Sequence, residues 1–590
     1  MSVIIALILA VCLFQLGNGA AHDYYAPSVQ ILNGTYTGIH SPYYNQDFYL
    51  GIPYAQPPTG DLRYRVPQSL NTSWGEARNA TKYSPFCVGY GSATRGYNDY
   101  VSEDCLTLNI VRPVGVGEKL PVVLWIHGGG YVQGGGGDAR YNLSFSVQQA
   151  ALAGKPHIGV SLNYRLGAWG FLYGNEIQKD GSANLGFRDQ RLALHWIQEN
   201  IATFGGDPAK VTIWGQSAGA GSVGAQLVAY NGRDDGLFRG AIAESGAPLR
   251  FSKYPSADDF QPVYNSIVNQ SGCASSNDTL GCLRGLTYAK LNSVINSSTT
   301  TAASWGPVID GDFIQDRAGA QLQDGRFVKV PLIIGANDDE GTSFGPKGIN
   351  NDTAFLSLLK SDNVPNASIP IVAILYPDIP AIGIPGTFQG RPDATQGLQY
   401  KRSSAYMGDS RMHISRRITS AAWAATNTTS YSYRFNVLVN GINSAGGSNH
   451  FEEVSFVFYN LDGVGYPPAG YAPPFQGKPK SYRELAKVMT LRWSSFIADL
   501  DPNTIDVDAV PWPKYTLDNP CNYYFTANRT SYIEPDTYRA EAIEYLSGMC
   551  HVHLVVLEHV ALATGLPHYA TSRQLLLQLA SQRGKIANNH

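Results

Sequence analysis

The sequence predicts an α/β fold in which a central, mostly parallel sheet is flanked by helices. Three apolar, largely β-branched runs at residues 120–126, 211–214 and 330–336 are typical of strands buried on both faces. Residues 184–204 carry a helical pattern between the first two runs. Because strands that alternate with helices favour a parallel sheet, we expect the loops after these strands to gather at one edge of it.

The chain of 590 residues is interpreted as one large domain with insertions near residues 60–105, 250–330 and 345–410. Hydrophobic residues make up 44% and charged residues 15%, which is typical of a compact globular protein. A net charge of −3 provides neither a basic surface for nucleic acid nor a polybasic patch for membranes. We therefore expect no nucleic-acid partner.

The amino terminus predicts export. Residues 2–16 are apolar and uncharged and lead into small residues, a pattern similar to a signal peptide cleaved near Gly19 or Ala21. The alternative is a membrane anchor, but the apolar core is short for a span of about 20 residues. We therefore assign residues 1–20 to a signal peptide and residues 21–550 to the domain, and expect a secreted protein without stable membrane insertion.

The last 40 residues form an atypical tail. Residues 551–565 are apolar apart from Glu558 and the histidines, and a polar end follows. A lipid-anchor signal requires the apolar stretch to be terminal, so this order argues against one.

Glycosylation motifs and cysteines agree with the secretory route. Of seven cysteines, Cys12 lies in the predicted signal peptide and the other six can form three bridges, for which sequential pairing is the simplest scheme. These six are Cys87, Cys105, Cys273, Cys282, Cys521 and Cys550. The N-x-[ST] motifs stand at Asn33, Asn71, Asn79, Asn142, Asn269, Asn277, Asn296, Asn351, Asn366, Asn427 and Asn528.

The run at 211–214 leads into Gly215-Gln216-Ser217-Ala218-Gly219, a G-x-S-x-G nucleophile elbow. A serine in a sharp strand-to-helix turn needs a glycine on each side, because side chains there would collide with neighbouring backbone. The motif predicts Ser217 as a nucleophile.

The run at 120–126 is followed by His127-Gly128-Gly129-Gly130, whose composition is that of an oxyanion-hole loop. Backbone N–H groups reach a developing oxyanion only where no side chain intervenes. We expect the donors to be the amides of Gly129, Gly130 and Ala218. A phosphate loop or a plain turn is the alternative, since Gly134 to Gly137 add glycines, but no G-K-[ST] follows.

A serine nucleophile needs a base and a carboxylate that orients it, in the chain order Ser, acid, His. Three acids, Asp338, Asp339 and Glu340, follow the run at 330–336. Among the histidines beyond them, His450 follows a Gly/Ser/Asn-rich loop that can carry an imidazole over a pocket. The residues alone leave other histidines beyond the acids open, namely His413, His551, His553, His559 and His568, whereas His127 and His195 precede the acids.

No metal site or cofactor is expected. The sequence has no C-x-x-C motif, and the pair His551-x-His553 stands isolated beside Cys550. Acyl transfer through a serine needs neither.

Several long motifs make the chain similar to the type-B carboxylesterase/lipase family, which includes cholinesterases and fungal lipases. They stand at residues 102–110, 163–172, 181–219 and 306–313 and around Asp338-Asp339-Glu340-Gly341, and the resemblance runs from about residue 27 to 550. It implies the α/β-hydrolase fold with a gorge built by the insertions. It also implies Ser217 as nucleophile, Glu340 as acid and His450 as base.

The resemblance implies further details. Ser245 matches a serine that supports the acid and base in relatives. The implied disulfides are Cys87–Cys105 and Cys273–Cys282, whereas Cys521–Cys550 is our own inference.

The chain departs from the family at three places. Gln216 stands where cholinesterases and many lipases carry Glu, which argues against choline esters. Residues 88–104 form a short, largely polar loop where fungal lipases have a much longer hydrophobic lid. Residues 297–304 are small or hydroxylated where cholinesterases carry bulky aromatics, which indicates a roomy acyl pocket.

These observations predict a secreted serine carboxylic-ester hydrolase that forms an acyl-enzyme on a small-molecule or lipid ester. A true triacylglycerol lipase with interfacial activation is the nearest alternative. A non-catalytic adhesion homologue is the alternative from another class, and the complete set of Ser217, Glu340 and His450 argues against it.

Overall fold

The computed structural model describes residues 26–91, 100–248, 254–297, 300, 303–467 and 470–549. The predicted signal peptide, the tail from residue 551 and the histidines within that tail lie outside the described residues.

The strands are, in chain order, β1 (Ser28–Gln30), β2 (Thr35–Thr37), β3 (Ile39–Ser41), β4 (Gln46–Pro53), β5 (Arg78–Asn79), β6 (Phe86–Cys87), β7 (Val101–Ser102), β8 (Thr107–Pro113), β9 (Leu120–Ile126), β10 (Ile158–Leu162), β11 (Gly206–Gln216), β12 (Gly240–Glu244), β13 (Leu332–Asn337), β14 (Ser430–Phe435), β15 (Cys521–Phe525) and β16 (Tyr532–Pro535). The three predicted runs correspond to β9, β11 and β13.

The helices are α1 (Leu143–Leu152), α2 (Gly167–Phe171), α3 (Asn175–Asp180), α4 (Leu185–Asn200), α5 (Ala218–Gly232), α6 (Ala257–Ser271), α7 (Thr279–Gly285), α8 (Tyr288–Ile295), α9 (Ala318–Gln323), α10 (Gly341–Phe344), α11 (Asp352–Ser361), α12 (Ile369–Leu375), α13 (Tyr400–Gly408), α14 (Ile414–Ala425), α15 (Val454–Val457), α16 (Lys480–Asp499) and α17 (Ala540–Met549). Short 3₁₀ segments lie at Gly60–Leu62, Ala139–Tyr141 and Ile201–Phe204, and a π-turn at Asp409–His413 joins α13 to α14.

An eleven-stranded sheet organises the chain, in the order β16-β15-β14-β13-β12-β11-β9-β10-β8-β4-β3. The strands from β10 to β15 in this order are parallel, and antiparallel strands complete both edges. The predicted α/β-hydrolase fold with a mostly parallel central sheet is confirmed. The polar loops after β9, β11, β13 and β14 consequently meet at one edge.

The central strands are buried on both faces, as their continuous apolar runs predict. In β9, Val122 and Leu124 face one hydrophobic core, whereas Val123 and Trp125 face the other. Successive side chains of a strand point to opposite faces, so a strand between two helical layers needs apolar residues at every position.

Two disulfides agree with the pairing that the resemblance implies. Cys87 is joined to Cys105, and Cys273 is joined to Cys282. Cys521 in β15 is buried and forms no disulfide with another described cysteine, while Cys550 lies outside the described residues. The Cys521–Cys550 bridge therefore stays a prediction.

Candidate active site

Ser217 lies in the turn between β11 and α5, with a positive φ of 58°. A Cβ on Gly215 would lie 2.4 Å from the carbonyl carbon of Gly219, and a Cβ on Gly219 would lie 2.0 Å from the oxygen of Ile126. Only glycine fits at either position. The Ser217 amide donates to the carbonyl of Glu244 on β12 at 2.9 Å, so the neighbouring strand also fixes the turn.

The glycine loop after β9 lies directly against Ser217. A Cβ on Gly128 would stand 3.0 Å from the Cβ of Ser217, and Gly129 and Gly130 both have positive φ, 104° and 63°. Within the described chain, the amides of Gly129, Gly130 and Ala218 donate to no backbone carbonyl. Three amides beside a serine can receive a developing oxyanion.

The second glycine run is explained by close packing. A Cβ on Gly134 would lie 2.7 Å from Nδ1 of His127, and a Cβ on Gly136 would lie 2.7 Å from the Leu162 carbonyl oxygen. These glycines allow the loop to fold back beneath the first run.

His127 braces this loop. Its Nδ1 lies 2.8 Å from the Gly128 carbonyl oxygen, while the Tyr164 hydroxyl donates to the His127 carbonyl at 2.8 Å and the two rings stack. Burial lowers the pKa of His127 to about 4, so the imidazole is neutral at physiological pH.

Glu340 and His450 meet after β13 and β14. Nδ1 of His450 lies 2.6 Å from Oε2 of Glu340, a contact between residues 110 apart in the chain. The Glu340 side chain is fully buried, and the ring of Phe344 packs edge-on against His450 at 4.9 Å between ring centres.

The other two candidate acids have different partners. Asp338 pairs with Arg434 at 2.8 Å and accepts a hydrogen bond from the Tyr524 hydroxyl. Asp339 accepts from the Ser448 amide at 2.8 Å. Glu340 is therefore the acid of this group that bonds to His450.

The alternative histidines within the described residues lie elsewhere. His195 is exposed on α4. His413 is buried in the π-turn, where burial and the charges of Arg434 and Arg416 hold its pKa well below its ordinary value.

The electrostatics favour a basic imidazole at His450. Burial lowers the pKa of His450. The charge and hydrogen bond of Glu340 and the charge of Glu453 raise it, and together they outweigh burial. The pKa of His450 is consequently raised above its ordinary value of 6.5.

Ser245 bonds to Glu453, whose charge acts on His450. It follows β12 with a positive φ of 53°, and its hydroxyl donates to Oε1 of Glu453 at 3.4 Å. Burial and the charge of Glu340 raise the pKa of Glu453 to about 7. Behind it, burial and the charge of Glu453 hold the pKa of Glu244 well above its usual range.

Sequence reasoning missed Asn337 and Glu453. The Asn337 side chain donates to Oε2 of Glu453 and to the Asn449 carbonyl, both at 2.6 Å. The sequence offers one signal for Asn337, which is a polar residue at the end of an apolar strand. Glu453 lies directly before α15, and no motif in the sequence marks it.

Both ends of the loop at 88–104 are attached to the body of the protein. Arg63 makes two hydrogen bonds to the carboxylate of Glu103, at 2.6 and 2.8 Å. The Tyr90 hydroxyl accepts from Trp169 and donates to Asn292. Residues 92–99 lie outside the described residues.

No group of three potential metal ligands occurs among the residues that the structure describes. In the same part of the chain, no helix combines the length and the apolar character that a membrane crossing requires.

Comparison with known proteins identifies the family. The chain is 32% identical over 554 residues to a protein named secreted triacylglycerol lipase LIP1 from Gibberella zeae, covering 88% of this chain and 90% of that protein. It is 34% identical over 544 residues to secreted lipase 1 of Botryotinia fuckeliana, with 83% and 88% covered.

Among solved structures, EstA of Aspergillus niger is similar, with a TM-score of 0.76 and 29% identity over 89% of this chain and 98% of EstA. The model of the carboxylesterase family matches residues 25–545. The chain belongs to the carboxylesterase family, and it is a carboxylic-ester hydrolase.

Proposed function

We propose that Ser217, His450 and Glu340 hydrolyse carboxylic esters through an acyl-enzyme. The observation that carries this proposal is the hydrogen bond between Glu340 and His450, at the sheet edge where the elbow and the glycine loop also lie. Neither the acid nor the base is close to Ser217 in sequence, and the fold brings all of these loops to one edge.

The hydrogen bonds of His450 indicate a different role for each of its two ring nitrogens. Nδ1 is engaged by Glu340, and Nε2 is buried and has no hydrogen-bond partner within the described chain. Nε2 therefore takes the proton of Ser217 as the serine attacks the ester carbonyl and returns it to the leaving alcohol. The amides of Gly129, Gly130 and Ala218 stabilise the oxyanion, and water then cleaves the acyl-enzyme by the same route.

The reaction requires a neutral His450, which fixes the sign of its pH dependence. Since the pKa of His450 is raised, kcat/KM falls as pH decreases through a value above 6.5. A profile of kcat/KM against pH checks this.

Neutral esters with short acyl chains are the preferred substrates. Gln216 is buried beside Gly128. Its side-chain amide is neutral, so this position lacks the negative charge that would attract an ester of a cationic alcohol. The attached ends of the loop at 88–104 argue against a mobile lid, which an interfacial lipase opens at an oil surface.

A triacylglycerol lipase is the second candidate, because one of the two fungal relatives is named a triacylglycerol lipase and the other a lipase. A series of nitrophenyl esters from acetate to palmitate, with tributyrin and triolein, distinguishes the two. We expect the rate to rise smoothly through the solubility limit of a short ester, with tributyrin preferred. A steep rise at the emulsion boundary with good turnover of triolein would establish the lipase.

Titration with an organophosphate tests catalysis against an adhesion role. We expect stoichiometric labelling of Ser217 and none in the Ser217→Ala variant. An unlabelled, correctly folded wild-type protein would favour the adhesion homologue.

We infer that the protein is secreted and glycosylated. None of the eleven motif asparagines is buried, and two disulfides are formed. Mass spectrometry of protein from the native host should find the amino terminus near residue 20 and glycans at some of these asparagines. An intact terminus with free thiols at Cys87, Cys105, Cys273 and Cys282 would contradict secretion.

A further inference from the structure

Asn337, the last residue of β13, joins three parts of the candidate site. It is fully buried, and its backbone amide donates to Oε1 of Glu340 at 2.9 Å. Its side-chain amide donates to the Asn449 carbonyl and to Oε2 of Glu453. Both hydrogens of the side-chain amide are therefore donated. One goes to Asn449, directly before His450 in sequence, and the other to Glu453, three residues after it.

The chemistry of these partners requires an amide at position 337. The Asn449 carbonyl can only accept, so the nitrogen of the side chain must face it. An aspartate of the same shape would present oxygen to that carbonyl and to the Glu453 carboxyl. A buried acceptor left without a donor costs about 1–3 kcal/mol.

We propose that Asn337 is a positioning residue for the base: its side chain holds Asn449 and Glu453 so that His450 stays on Glu340. This proposal rests on the proposed function and adds a residue to it. Asn337 acts through His450 and does not touch the reacting atoms.

The arrangement explains how a long loop can carry a precise base. Fourteen residues, 436–449, separate the end of β14 from His450. The His450 amide has only a 3.3 Å contact with the Ser343 hydroxyl, whereas both Asn337 side-chain bonds measure 2.6 Å. A displacement of about 1 Å in an active site can cost roughly 100-fold in rate.

The charged groups around His450 determine how a change at position 337 would appear in a pH profile. Glu340 bonds to the imidazole, and the charge of Glu453 acts on it. The charge of Glu453 acts on Glu452 and Glu244, and Asp339 accepts from the Ser448 amide in the loop that carries His450. All five are acids and several have raised pKa values, so a further carboxyl beside Glu453 would share a proton with it.

The Asn337→Asp variant tests the proposal in the full-length protein, with nitrophenyl acetate as substrate and active sites counted by organophosphate titration. We expect kcat per titrated site to fall about 10- to 100-fold while KM changes by less than about twofold. Because two adjacent buried carboxyls share one proton, the pair at positions 337 and 453 should keep one negative charge where Glu453 alone would be protonated, which moves the acid limb of kcat/KM to higher pH. Unchanged kcat per titrated site and an unmoved limb would overturn the proposal.

A matched control separates positioning from general destabilisation. Asn200 is equally buried at the end of α4 and donates to the Trp196 carbonyl. Asn200→Asp should lower the melting temperature but leave kcat per titrated site and the pH limb unchanged. If this variant shifts the limb as Asn337→Asp does, the effect is not specific to His450 and the proposal is wrong.

Two further variants keep the test decisive if Asn337→Asp does not fold. Asn337→Gln retains both donors but displaces them by one methylene, so kcat should fall without a shift of the limb. In the Asn337→Asp/Glu453→Gln double variant, position 453 supplies the donor, and kcat should recover part of the loss. Wild-type kcat in Asn337→Gln would refute positioning, whereas an active His450→Ala variant would refute the proposed function itself.

Discussion

The two halves of the candidate site are held by different forces. On one side, the backbone fixes Ser217 and its glycine loop, because residues 128, 215 and 219 approach neighbouring backbone more closely than a Cβ allows. On the other side, hydrogen bonds that involve side chains fix Glu340 and His450. The two residues bond to each other, Asn337 bonds to Glu340, Asn449 and Glu453, and Asp339 accepts from Ser448 in the loop that carries His450. We refer to these as the nucleophile half and the acid–base half.

This difference determines how each half responds to change. The ionisable side chain that braces the glycine loop, His127, has a pKa of about 4 and stays neutral at physiological pH, so the nucleophile half depends mainly on shape. The acid–base half contains several carboxyls with raised pKa values, so it depends on protonation as well. Mutations should therefore act sterically in one half and electrostatically in the other.

The largest effect tests whether the halves act as one unit. Ser217→Ala and His450→Ala should each reduce kcat on the order of 10⁵- to 10⁶-fold, because neither residue can act without the other. The double variant should be little worse than either single variant. Steady-state kinetics on nitrophenyl acetate check this, and losses that multiply in the double variant would separate the two residues.

Glu340→Gln gives the next effect, within the acid–base half. Loss of the carboxylate removes the partner that orients Nδ1 of His450, and we expect kcat to fall on the order of 10⁴-fold in a folded protein. Circular dichroism serves as the control for folding. Unchanged kcat would return the acid role to Asp338 or Asp339, despite their bonds to Arg434 and Ser448.

Two neighbouring glycines test the nucleophile half. A Cβ on Gly129 would lie 2.3 Å from the Gln133 carbonyl oxygen, so Gly129→Ala must displace the loop. We expect a loss of roughly 3 kcal/mol of transition-state stabilisation, about 100-fold in kcat, with little change in KM.

Gly130→Ala is the matched comparison, since its Cβ would meet only Val132 at 3.9 Å. Its left-handed backbone should cost about 1–2 kcal/mol of folding stability. Because the added Cβ does not displace the loop, we expect a smaller loss of kcat than in Gly129→Ala. If KM rises in Gly129→Ala while kcat holds, the loop is a binding wall and does not supply the oxyanion donors.

The same difference explains what the sequence could predict. The nucleophile half is encoded locally: glycines flank Ser217 and follow β9 because the backbone there leaves no room for Cβ atoms. The fold class follows from apolar runs that correspond to β9, β11 and β13. Local pattern was sufficient for these features.

The acid–base half is encoded between distant positions, and the residues alone left three acids and several histidines open. Asp338 is distinguished from Glu340 by Arg434, which lies on another strand. Family resemblance supplied Glu340 and His450, while Asn337 and Glu453 had no local motif. Their roles depend on which strands are neighbours, which no short pattern records.

The smallest expected effect tests the pH sensitivity of the acid–base half. Burial and the neighbouring charge of Asp338 raise the pKa of Asp339 to about 7. Between about pH 4 and 7 the folded protein keeps this proton while the unfolded chain releases it, so stability decreases as pH rises. One such group contributes a slope of at most about 1.4 kcal/mol per pH unit.

Urea unfolding followed by tryptophan fluorescence at a series of pH values measures this slope. In Asp339→Asn the decrease between pH 4 and 7 should be shallower, because the titrating group is gone. Asp536 provides a control of opposite sign: although burial raises its pKa, Arg416 and Arg417 hold it well below its ordinary value. Asp536 therefore contributes stability that is lost as pH falls, and Asp536→Asn should destabilise the protein most at neutral pH. Parallel pH profiles for wild type and Asp339→Asn would mean that Asp339 is ionised in the folded protein and that the acid–base half is less sensitive to protonation than its geometry indicates.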